Sequence, residues 1–188
     1  MADNGNQVHL RTFLRGETAA LHDALDSRTV PASLRDRDEY VRFLERQFVA
    51  RRPIEAWAAR TMASHSAPPA ACPLIANDLA LLGRSTPKFD EGFTLPDGAD
   101  PIGLAWALAG SHLGNRAMLK SLADAQSDLP VSFFGDQAMM AFWKSLRPAI
   151  ERDVSRALGK AAVLGARAVF ARFLRAFAVD GASSRLAA

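Results

Sequence analysis

Apolar positions recur at threes and fours along nearly the whole chain. Between Val8 and Ser27, residues Leu10, Phe13, Leu14, Leu21 and Leu25 keep helical spacing with no proline to interrupt them. A turn through Thr29–Asp36 follows, and Ser33 or Asp36 is placed to cap a second helix. That helix carries Tyr40, Phe43, Leu44, Gln47 and Phe48, then Ile54, Trp57 and Ala58, and Pro53 predicts a kink or a split within it. His65–Ala70 reads as a loop, and a short helix over Leu74–Leu82 ends at Gly83, which suits a left-handed cap. Ser85–Pro101, with prolines at 87, 96 and 101, reads as an irregular connection. Helices are predicted over Ile102–Leu122, Asp136–Gly159 and Lys160–Val179, with a loop at Gln126–Gly135. Period-two alternation is almost absent and nothing repeats at a fixed period. The pattern predicts one all-α domain over residues 8–179, between a flexible N-terminus (1–7) and a flexible tail (180–188), with Trp106 and Trp143 in the core.

One predicted helix has a face almost without side chains. Gly103, Ala107, Gly110, Gly114 and Ala117 follow one another by four, three, four and three residues, so they share one side. Each interior glycine costs roughly 0.5–1 kcal/mol against alanine, so the stripe needs a reason. Either another helix approaches closely, or a flat ligand lies against the backbone. From this helix alone, helix packing is the preferred reading.

Composition narrows the chemistry. A chain of 188 residues with 49% hydrophobic and 23% charged residues suits a globular domain with a sizeable core. No apolar run is long enough to span a membrane, and residues 1–6 carry no apolar signal core, so a cytoplasmic location is expected. Cys72 is the only cysteine, which excludes an internal disulfide and multi-cysteine metal sites. The net charge of +3 comes mostly from arginine and is spread out, without a basic run interleaved with aromatics, so nucleic-acid binding is not expected. Arginine suits carboxylates and phosphates. Paired histidines spaced as in zinc proteases are absent, as is a glycine-rich phosphate loop. His9 and His65 have no metal-ligand spacing, and His112 points away from the smooth face and reads as packing or surface.

His22 is the residue with the most chemical promise. It sits at the edge of the first helix's apolar stripe, where a neutral imidazole can ligate iron, although a lone histidine there is more often a core-edge or surface residue.

Taken together, several segments resemble the haem oxygenases, especially the bacterial type found beside phytochromes. Leu10-Arg11, Thr18, Leu21-His22 and Leu25-Asp26 are similar to the family's proximal helix, and Leu108-Ala109-Gly110-Ser111-His112-Leu113-Gly114 resembles its distal-helix motif. Tyr40–Leu44, Asp78–Gly83 and Gly165–Phe170 resemble family segments in the same order. There are departures: Ala109 stands where the motif usually has glutamate, Trp106 replaces a common tyrosine, and Ser111 follows the bacterial branch.

The resemblance implies a haem oxygenase-like helical bundle that clamps haem between the first helix and the glycine helix. His22 would be the axial iron ligand, with Asp26 either orienting its ring or merely solvated at a helix end. Gly110 and Gly114 would bring bare backbone near the iron, and Ser111 would hold a water. Thr18 belongs to the proximal motif. Arg15 and Arg167 are candidates for the haem propionates, against a reading as plain surface arginines, and Phe170 is core or pocket wall. Haem would be both cofactor and substrate, opened at a meso carbon to biliverdin, carbon monoxide and iron with dioxygen. Electrons would come from an external ferredoxin or reductase, which a basic surface complements, and a phytochrome would be a biliverdin acceptor. Two other readings compete: a non-catalytic haem-binding or sensing protein on the same fold, and an all-α interaction domain in which His22 binds nothing.

Overall fold

The computed structural model describes residues 6–28, 34–88, 91–124 and 127–178. Six helices carry the fold: α1 (Leu10–Asp26), α2 (Arg37–Thr61), α3 (Cys72–Leu81), α4 (Pro101–Asp124), α5 (Gln137–Ile150) and α6 (Arg156–Ala176). The all-α expectation holds, with one addition. Strand β1 (Gln7–His9) pairs antiparallel with β2 (Asp153–Ser155), Val8 facing Val154. Gln7 is therefore paired with Ser155, one residue outside the predicted domain start at Val8. Residues 1–5 and the predicted tail at 180–188 lie outside the described residues.

That short ladder explains a boundary the periodicity missed. A continuous helix from Asp136 to Gly159 was expected, but α5 stops at Ile150, after Pro148 in its last turn. The chain then pairs with β1 and restarts as α6, where the Ser155 hydroxyl accepts the Leu158 N–H. The predicted break at Gly159 is not there. Instead Gly159 lies inside α6, where an added Cβ would come within 2.9 Å of Val8 Cγ2.

Other ends follow their local chemistry. Asp36 is the cap of α2, its carboxylate accepting from the Asp38 and Glu39 amides; Ser33 lies outside the described residues. Pro53 does not split α2, which runs through it to Thr61. Gly83 takes φ +72° after α3, with its N–H donating to Ala80 O and that of Arg84 to Leu79 O, a Schellman close.

Helix α6 is the hub: α1, α2 and α4 all pack against it, α3 joins α2, and α5 joins α4. The aromatic centre of the core comprises Tyr40 and Phe43 of α2, Phe133 and Phe134 of the 127–136 loop, and Phe177, with Phe43 stacked on Phe134 at 5.6 Å. The loop therefore belongs to the core. It is pinned by the fully buried carboxylate of Asp78, which accepts the Ser132 and Phe133 amides at 3.0 and 2.9 Å. Trp143 is buried as expected, and Trp106 packs partly buried against the core.

Candidate functional site around His22 and the glycine face

Helix α1 turns its leucine stripe to the core. Leu10 and Leu14 are fully buried, Leu21 and Leu25 half-buried. Thr18 is buried in the same stripe, and its hydroxyl donates to Leu14 O at 2.8 Å, so that side chain is engaged with the backbone. His22 falls just off the stripe, with 58% of its side chain exposed. Its Nδ1 lies 3.0 Å from Asp26 Oδ2, one turn on. A carboxylate can only accept, so Nδ1 carries the proton and, in the neutral ring, Nε2 keeps its lone pair for a metal. The ring also sits 6.2 Å from that of Phe170, a buried α6 residue. An oriented, accessible imidazole is what axial ligation of iron requires.

The glycine stripe of α4 divides in two. At its N-terminal end an added Cβ on Gly103 would lie 1.8 Å from the Ala162 carbonyl oxygen and 2.8 Å from Ala166 N. Gly165 of α6 reciprocates against Asp100 O at 2.5 Å, and Asp100 N–H donates to Ala161 O. This half is helix packing, the preferred reading of the stripe. The other half is not. A Cβ on Gly110 would meet only Trp143 Cζ3, at 3.9 Å, and one on Gly114 would meet nothing within 4 Å. Two glycines therefore carry the helix penalty where no neighbour in the fold needs them.

Behind that bare face α4 is anchored by polar side chains. Ser111 donates to Leu108 O at 2.8 Å and accepts from Arg51 Nη2 at 3.0 Å. His112 is buried, with Nε2 2.9 Å from Asp136 O and Nδ1 3.0 Å from Asn115 Nδ2. A carbonyl accepts and an amide nitrogen donates, so His112 is neutral with the proton on Nε2. Burial, together with the Arg51 charge, holds its pKa below the ordinary histidine value. Of the two readings for His112, the structure selects packing. Ala109, where the resembled motif has glutamate, is fully buried.

The candidate anion-binding arginines differ. Arg15 is exposed on α1. Arg167 of α6 reaches across to α1, donating to Glu17 O at 3.2 Å and pairing with Glu17 Oε2 at 3.0 Å. Both partners are about half exposed, so the pair contributes on the order of 1 kcal/mol or less and can be exchanged for another carboxylate.

The contacts of His22 and of the α4 glycines are separate: α6 touches α1 at His22 through Phe170, and touches α4 at Gly103 through Ala162 and Ala166. A groove of about 350 Å³ on α1 is lined by Val8, His9, Thr12, Phe13, Gly16 and Glu17, and includes neither His22 nor the α4 glycines. The His22 side chain and Gly114 are exposed, while Gly110 is half-buried beside Trp143. Among the described residues, no group of three or more His, Cys, Asp or Glu is placed to hold a bare metal ion. A tetrapyrrole brings four nitrogens of its own, so one imidazole suffices to hold its iron. The residues present fit that group: an oriented histidine, and a helix face with room left where side chains would be. Among the described residues, no helix is long and apolar enough to cross a membrane.

Arg51, Asp136, Asp78 and Glu55 escaped the sequence reading. The signal was available for α2. Leu44, Phe48, Arg51, Glu55 and Ala58 run at fours and threes along its buried stripe, so two charges stand where apolar residues belong. Glu55 accepts the amides of Ala71 and Cys72 at the start of α3.

No family model, curated protein or solved structure matches the chain.

Proposed function

We propose that this protein binds haem through His22 and cleaves it oxidatively to biliverdin, as a haem oxygenase. The observation that carries the reading is the open half of the α4 stripe. Gly114 lacks a side chain beside free space and Gly110 has only Trp143 Cζ3 at 3.9 Å, while Gly103 on the same stripe is filled by α6. Helix packing explains Gly103 and leaves the other two without a cause; a planar ligand lying on the backbone supplies one.

On this reading His22 Nε2 ligates from the α1 side while Asp26 holds Nδ1–H and fixes the ring. Gly110 and Gly114 would leave room for the planar group beside the α4 backbone. Arg167 exchanges Glu17 for a propionate, and Arg15 is accessible to the other. Phe170 supplies an apolar wall beside the imidazole. Haem itself, as substrate, supplies the iron that activates dioxygen and the meso carbon at which the ring opens. Electrons come from an external ferredoxin or reductase, favoured by the positive net charge, and the tetrapyrrole product suits a phytochrome-type acceptor. A cytoplasmic setting accords with the lone, half-buried Cys72.

One observation favours a second reading, haem binding or sensing without turnover. The Ser111 hydroxyl has its donor and an acceptor position engaged by Leu108 O and Arg51, and Ala109 offers no polar group. Hemin titration separates the readings. A Soret band that His22→Ala abolishes is expected, followed by biliverdin absorbance on adding reductant in air. A stable Soret band under those conditions selects binding alone, and no band with wild-type protein overturns both.

A further inference from the structure

We infer that Arg51 of α2 is a positioning residue for the Gly110–Gly114 segment of α4, acting through Ser111; its relevance to haem rests on the reading above. Arg51 is 1% exposed, and its guanidinium packs on the rings of Phe133 at 5.2 Å and Phe173 at 5.5 Å. Nε donates to Gln47 Oε1 at 3.0 Å, one turn back on α2, which aims the fork. Nη2 donates to the Ser111 hydroxyl at 3.0 Å, sixty residues away in sequence. Among the described residues no carboxylate is a hydrogen-bond partner of Arg51, and its Nη1 is buried without one. Asp136, whose backbone carbonyl receives the neighbouring His112, likewise has Oδ2 buried without a partner.

Stability alone is a poor reason for this arrangement. Taking a guanidinium out of water is costly, and apolar residues of similar volume serve a core at least as well. What the arginine adds is direction. Its planar fork, packed against the Phe133 and Phe173 rings and held at Nε by Gln47, is aimed at Ser111. Ser111 lies between the two open glycines, on the part of α4 that α6 does not clamp. Gly110 and Gly114 give that segment freedom to shift or unwind; the Arg51–Ser111 bond removes it. The distance between α4 backbone and a ligand on its bare face is then set from α2.

The test uses Arg51→Met, Ser111→Ala and the double variant in the full chain. Without hemin, amide exchange at Gly110–Gly114 is expected to quicken about tenfold in each single variant and no further in the double, while Leu104–Ala107 keep their protection. Ser111→Ala removes the same bond from the other end, so the question stays decidable if Arg51→Met does not fold. With ferric hemin bound, the midpoint of the pH-dependent Soret change is expected to move in the same direction in both single variants, by about one unit, without adding in the double. Additive effects, or unchanged exchange and midpoint in variants that bind hemin as wild type does, overturn the assignment. If wild-type protein does not bind hemin, the haem reading falls by itself, and the exchange measurement still decides whether Arg51 holds the segment.

Discussion

The same substitution at three positions of one helix face should give opposite signs. In Gly103→Ala the new methyl would lie 1.8 Å from the Ala162 carbonyl oxygen, about 1.6 Å short of ordinary contact at 3.4 Å, with further clashes at 2.7 and 2.8 Å. All three neighbours are backbone atoms of α6, so no side chain can rotate away and the α4–α6 crossing must open. Overpacking of this kind costs on the order of 3 kcal/mol, against roughly 0.5–1 kcal/mol gained in helix propensity. In a domain of this size each kcal/mol moves Tm by about 2–4 °C, so the net loss is roughly 4–10 °C. Gly114→Ala meets nothing within 4 Å and Gly110→Ala only Trp143 at 3.9 Å, so both should gain the propensity term and raise Tm by roughly 1–4 °C. Thermal unfolding followed by far-ultraviolet circular dichroism, in the absence of hemin, reads all three. The methyls at 110 and 114 should also weaken hemin by about tenfold, because they occupy the face a porphyrin would approach, so stability and function would part company. A destabilised Gly114→Ala would mean that the face is packed after all. Stabilised variants with unchanged hemin affinity would remove the argument for placing haem there.

Three further outcomes are expected. Asp26→Ala should leave stability within about 0.5 kcal/mol, since the carboxylate is exposed, yet weaken hemin by about 10-fold or more through loss of ring orientation; equal affinity would show that Asp26 is merely solvated. Asp78→Ala orphans one buried and one part-buried amide, those of Phe133 and Ser132, and should cost about 3 kcal/mol in urea unfolding, with a loss under 1 kcal/mol contradicting its role as the loop's anchor. His112 has a folded pKa depressed below its ordinary 6.5, so the unfolded chain takes up a proton that the native one refuses: its contribution is present above pH 6.5 and lost progressively below it, with a slope of at most about 1.4 kcal/mol per pH unit. His112→Leu should flatten that part of the stability–pH profile, and an unchanged slope would assign it to other groups.

Much of the helical layout was legible because amphipathic spacing, caps and prolines act locally. Asp36 starts α2 with a carboxylate that accepts its first amides, and Gly83 closes α3 because, lacking a Cβ, it takes φ +72° freely. The stop at Ile150 was not legible, because the strand that replaces the helix exists only by pairing with residues near the N-terminus. Nor was the loop at 127–136 readable as core, since Phe133 and Phe134 have no periodic frame around them and are drawn inward by Asp78 from another helix. Of the kink or split that Pro53 predicts, the split does not occur: α2 runs on, with Ile54 and Ala58 buried beyond the proline.

For the candidate site, the chain alone determined that His22 and Asp26 lie one helical turn apart and that five small residues share a face of α4, because both follow from helix geometry. Spacing could not say which part of that face is covered. Tertiary packing decided it: α6 crosses α4 at Gly103 and leaves room at Gly114 and, beside Trp143, at Gly110, and Arg51, far off in sequence, meets Ser111 between them. Periodicity gives a residue's direction around its own helix axis, and only the crossing of other helices determines what stands in that direction.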